Sequence, residues 1–135
     1  MLALPLFAVL LPVVAMTSAC ADPAIVSAHA VRTSGTDSTL NVYDAAITVR
    51  NLGTGGQASS LLQSVEIFQD ATKVGQVGIE PLKPGASQTV HYRLERATGA
   101  RAGTTRLRFV LTLTDPHGVP ITDCSKANDV YRLSV

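Results

Sequence analysis

From Thr105 to Thr114 the chain alternates in character: Leu107, Phe109, Leu111 and Leu113 fall on one side, Arg106, Arg108, Thr112 and Thr114 on the other. A period of two sends successive side chains to opposite faces of an extended strand, whereas a helix would scatter these apolar positions around its axis. The stretch therefore reads as a half-buried strand of an antiparallel sheet. No segment beyond the N-terminus sustains a helical period.

Strand patterning recurs along the chain. Ile25 to Thr33 alternates small apolar and polar residues. Leu40 to Asn51 places Tyr43, Ala45, Ile47 and Val49 on one face. Val65 and Ile67 mark a third strand that runs into an Asp70-Ala-Thr-Lys73 turn. Val74, Val77 and Ile79 suggest a weak strand made irregular by Gly75 and Gly78. Val90, Tyr92 and Leu94 alternate in the next, and Asp129 to Val135 closes the chain with Tyr131, Leu133 and Val135 inward. Ser34 to Ser38, Leu52 to Ser60, Ala97 to Gly103 and Asp115 to Gly118 are loops by composition. About seven short strands separated by turn signals predict a single all-β domain, an immunoglobulin-like antiparallel β-sandwich.

The turn residues carry a resemblance. One strand ends Asn51-Leu-Gly53, another carries a short polar hairpin, and Leu82-Lys-Pro84-Gly85 precedes an alternating strand. This order resembles the CARDB family, the cell-adhesion-related immunoglobulin-like domains of bacteria. Asp115 and Asn128 match the family's later Asp and the first Asn of its Asn-Asn pair, while Asp129 replaces the second. The resemblance implies the sandwich fold and brings no catalytic set. Asn51, Gly53, Pro84, Gly85 and Asn128 are thus expected to shape turns. Gly85 suits the positive φ of a type II turn, and Pro84 presets the residue before it.

Ahead of the domain, Leu2 to Ala15 is almost wholly apolar and uncharged, interrupted by Pro5 and Pro12. It is short for a membrane span and runs into small residues, as an export signal does, although no Lys or Arg precedes it. Ala19-Cys-Ala21 fits cleavage after Ala21, which assigns 1–21 to a signal peptide and leaves 114 residues (135 − 21) from 22 to 135. Ser18-Ala19-Cys20 alternatively offers Cys20 as a lipid acceptor, the one route by which the membrane enters as a partner. Either route leaves Cys124 without an intramolecular partner, expected as a small, partly buried apolar side chain. A Cys20–Cys124 bridge requires retention of the N-terminal segment, and the sequence does not indicate it.

The formal charge of +1 lacks the basic excess expected of a nucleic-acid-binding chain. Gly53-Thr-Gly55-Gly56-Gln-Ala58 has the spacing of a dinucleotide fingerprint, but β patterning resumes at Val65 before a following helix could form. No catalytic residue, cofactor or metal is assigned. An alternative metal-dependent site would use Asp115, His117, Asp123 and Cys124. Arg93, Arg96, Arg101, Arg106 and Arg108, with an exposed Phe68, form the candidate contact surface, and solvation of an outer face is the simpler account of the arginines. The expected role is an exported envelope module that binds a protein or carbohydrate. The alternative is an accessory protein acting by β-strand addition.

Overall fold

The computed structural model describes residues 19–33, 40–97 and 105–135, with nothing said of the side chains at 40, 96 and 97. The apolar segment 2–15, the loop at 34–38, Arg101 and most of the 97–103 loop therefore lie outside the described residues. Seven strands follow one another: β1 (Pro23–Thr33), β2 (Leu40–Asn51), β3 (Leu62–Gln69), β4 (Thr72–Ile79), β5 (Ser87–Ala97), β6 (Arg106–Thr114) and β7 (Val130–Ser134). A single 3-10 turn at Lys126–Asn128 precedes β7.

The strands form two antiparallel sheets, one ordered β1-β2-β5 and the other β4-β3-β6-β7. The all-β sandwich expected from the alternation is the fold. Ile47 and Val49 from the first sheet meet Val65, Ile67, Leu107 and Phe109 from the second in one core. Phe109, Ile47, Val49 and Val65 have no exposed surface at all. The alternation in β6 holds, with Leu107, Phe109, Leu111 and Leu113 buried between less buried neighbours. Burial of such side chains contributes about 1.5–3 kcal/mol apiece, so this stripe is a main determinant of stability.

Strand ends extend or recede by a few residues from expectation. β1 begins at Pro23, and a register shift between Ile25 and Ser27 turns Val26 outward while keeping Ile25 and Ala28 in the core. Thr105 precedes β6 proper yet exchanges two backbone hydrogen bonds with Val135, at 2.8 and 3.0 Å. The β3–β4 hairpin is tighter than the four-residue turn expected. Gln69 pairs with Thr72, and Asp70 takes φ 53°, the positive φ that two-residue hairpin loops demand. Gly85 has φ 76°, and Ala86 N–H donates to Lys83 O at 3.0 Å, closing the expected Pro-Gly turn. Gly75 is where β4 makes room for Tyr92, whose ring occupies the space a Cβ would need and whose hydroxyl donates to Val74 O at 2.6 Å.

Candidate functional site

One pole of the sandwich is organised by a disulfide the sequence reading did not assign. Cys20 and Cys124 are bonded, with Cα atoms 6.0 Å apart. Cys124 is thus neither a free thiol nor a buried apolar filler; it is exposed and cross-linked. The same bond competes with acylation for the Cys20 sulfur, which cannot carry both at once. It also removes the Cys124 thiolate from the Asp115–Cys124 metal alternative. Asp115 is occupied as well: its Oδ1 accepts from His117 N–H at 2.8 Å and Val119 N–H at 2.9 Å, shaping the loop.

The segment before β1 is held by side-chain and backbone hydrogen bonds. Asn51, fully buried, fills all four of its side-chain hydrogen-bonding positions. Its Oδ1 accepts from Asp22 N–H at 2.9 Å and Gly53 N–H at 3.0 Å. Its Nδ2 donates to Gly55 O at 2.8 Å and Leu82 O at 3.1 Å. Gly55 N–H reaches Cys20 O at 3.0 Å, and Cys124 N–H reaches Ala21 O at 3.2 Å. A Cβ on Gly53 would collide with the Cys20 carbonyl, so glycine is required here by close backbone approach. Gly53 and Gly55 are therefore packing elements of this pole. Cys20 and Ala21, which precede the expected boundary at residue 22, bond to this pole through the disulfide and through backbone hydrogen bonds.

Three carboxylates gather beside the disulfide. Asn128 Nδ2 donates to Asp22 Oδ1 at 3.0 Å, while Asp123 and Asp129 hold buried oxygens with no donor from another residue. Burial pushes the Asp129 carboxyl up to about 7, assisted by the Asp123 charge, a hydrogen bond with Asp123 and the Asp22 charge. The proton that Asp129 retains is the donor this pair otherwise lacks. Among the described residues no group of three or more His, Cys, Asp or Glu side chains is arranged to hold a metal ion.

The candidate arginines do not share one surface. Arg93 lies on β5, on the outer face of the three-stranded sheet, and pairs with Glu95 at 3.2 Å. Arg106 and Arg108 lie on β6, on the outer face of the opposite sheet. Backbone pairing opposes Arg96 to Asn41 on β2. Phe68 is half-buried rather than exposed: the pairing with β4 shifts register between Ile67 and Phe68, and the Arg108 guanidinium stands 4.4 Å over its ring. Arg132 was missed by the sequence reading because it lies 24 residues beyond Arg108 (132 − 108), yet the two are direct cross-strand partners. Together Arg106, Arg108 and Arg132 line an open groove of about 640 Å³ with Asp70, Ala71 and Ser134.

No protein-family model matches the sequence, and no curated protein matches it. Solved structures do. The CARDB domain of the PF1109 protein from Pyrococcus furiosus, in complex with di-metal ions, is 18% identical over 86% of this chain and 87% of that one, with a TM-score of 0.56. A protein from Archaeoglobus fulgidus is 17% identical, covering 82% of this chain and 94% of that one, at a TM-score of 0.39. At such identity the likeness to the first is one of fold, and the fold of this chain is CARDB-like.

Proposed function

We propose that this chain is an exported module of the cell envelope that binds a protein or carbohydrate, or serves there as a structural unit, without catalysing a reaction. The observation that carries the compartment is the Cys20–Cys124 disulfide, directly after an apolar N-terminal segment. Disulfides persist in oxidising compartments, so the bond and the signal-like segment support the same destination. Recognition is supported by the outer face of the four-stranded sheet, where arginines stand without an ion pair among the described residues. The second reading, strand addition, is favoured by β7, which ends its sheet and pairs on one side only among the described residues.

The test is fractionation followed by capture. The oxidised protein is expected in the envelope or medium, and on a column it retains a specific protein or glycan from envelope extract. Recovery in the cytosol with reduced cysteines, or turnover of an envelope substrate by the purified chain, overturns the proposal.

A further inference from the structure

The arginine groove and the free edge of β7 lie side by side. Arg108 faces Arg132 across the β6–β7 pair, and Arg106 faces Ser134. Like charges placed directly opposite one another repel, and none of these three guanidiniums has an ion pair among the described residues. Among the described residues, the one carboxylate lining the groove belongs to Asp70, at the β3–β4 hairpin tip. That tip is pinned to β6: Asp70 N–H donates to Arg106 O at 2.8 Å, and Asp70 Oδ1 accepts from Arg106 N–H at 3.3 Å. The Arg108 guanidinium carbon stands 4.4 Å from the centre of the Phe68 ring, which places this cation over an aromatic face at the groove.

The backbone of β7 beside the groove has β6 as its one ladder partner among the described residues, with β1 of the other sheet packed near it. Thr105 and Val135 exchange both hydrogen bonds, and Leu111 N–H donates to Asp129 O, so the odd-numbered residues of β7 bond to β6. Alternation turns the N–H and C=O groups of Arg132 and Ser134 toward the sheet's free edge, and both residues are exposed.

We infer that the groove and the β7 edge together bind an extended acidic peptide segment, which adds to β7 as a fifth strand and sets carboxylates against Arg108, Arg132 and Arg106. This rests on the recognition role proposed above and names the chemistry of the partner. Main-chain bonds to Arg132 and Ser134 supply the strand, and the guanidinium forks select carboxylates at alternate positions. A glycan is the less suited ligand, because Phe68 already carries the Arg108 guanidinium on its ring.

The test uses the full, oxidised protein and a capped octapeptide of alternating Glu and Val, followed by fluorescence anisotropy. Binding should weaken steeply between about 50 and about 300 mM NaCl. It should fall at least about tenfold in Arg108→Gln and in Arg132→Gln, remain in Arg93→Gln on the opposite face, and recover only in part in Arg132→Lys, which keeps charge but loses the fork. N-methylation of alternate peptide nitrogens should abolish it. Equal unfolding temperatures for the variants show that the groove, not the fold, was changed. No binding at low salt, equal loss in Arg93→Gln, indifference to N-methylation, or tighter binding of polygalacturonate than of the peptide overturns the inference. If Arg108→Gln and Arg132→Gln still retain the envelope partner, the recognition role stands and this groove is not its site.

Discussion

At the scale of single residues, the side chains that matter most are those whose polar groups are fully used. Asn51 bonds the segment before β1, its own loop and the approach to the Pro-Gly turn at once. In Asn51→Ala the amides of Asp22 and Gly53 and the carbonyls of Gly55 and Leu82 lose their partner in a buried site. Chemical denaturation should show a loss of about 3–5 kcal/mol, well beyond a typical substitution. Asp129 gives the molecule a pH response of defined sign. Its folded pKa of about 7 lies above the ordinary 3.8, so the folded state binds the extra proton between those values. Stability from this group is present at pH 4 and below, and is lost as pH rises through about 7. Asp22, Asp123 and Lys126 face it, with the two acids raising its pKa and the lysine lowering it. The unfolding temperature of Asp129→Asn should match that of the native chain near pH 4 and exceed it near pH 8. A native advantage at pH 8 would refute the shared proton.

At the scale of elements, strands and turns were legible because each has a local cause. Period-two alternation in β6 and the φ demands of Pro84-Gly85 are written within a few neighbouring residues. The disulfide and the Arg108–Arg132 pair were not, because both join positions far apart in the chain and depend on sheet order. The hydrogen bonds between Gln57 and Gln63, at 2.8 and 3.2 Å, were also not legible, although they span only six positions. By composition the 52–60 loop reads as a plain polar turn, yet Gln57 Oε1 also accepts from Leu82 N–H at 2.8 Å. Gly53 carried a partial signal: a strand-ending glycine was expected, but its reason is contact with the Cys20 backbone. The cross-link closes a long loop, with Cys20 and Cys124 separated by 104 positions. Cys124→Ser should lower stability by about 3–5 kcal/mol, and in the native protein reductant should reproduce the loss. Equal denaturation midpoints with and without reductant would show that the cross-link does not stabilise the fold.

For the whole molecule, the bonded position of Cys20 bears on how the N-terminus is processed. Cleavage after Ala21 would discard a disulfide partner and the Cys20 carbonyl that Gly55 uses. The mature chain is therefore expected to begin at or before Cys20 and to carry no lipid on that sulfur. Intact-mass measurement before and after reduction should show a chain retaining Cys20 and a gain of about two mass units, one hydrogen on each sulfur. A mass that begins at Asp22, or one that includes acyl chains, would disprove this.

The position of that cross-link also sets how the domain carries load. Force applied between the two chain ends passes from Cys20 straight to Cys124, and everything between them is bypassed. Of the sheet strands, only β7 lies wholly outside the closed loop, so β7 would peel from β6 while β1 to β6 stay slack. The sequence separation of 104 corresponds to about 360 Å of extended chain that no pull can release until the bond is reduced. Single-molecule stretching should record that missing length as a step appearing only with reductant. A chain tethered in an oxidising medium would behave as a short, nearly inextensible link.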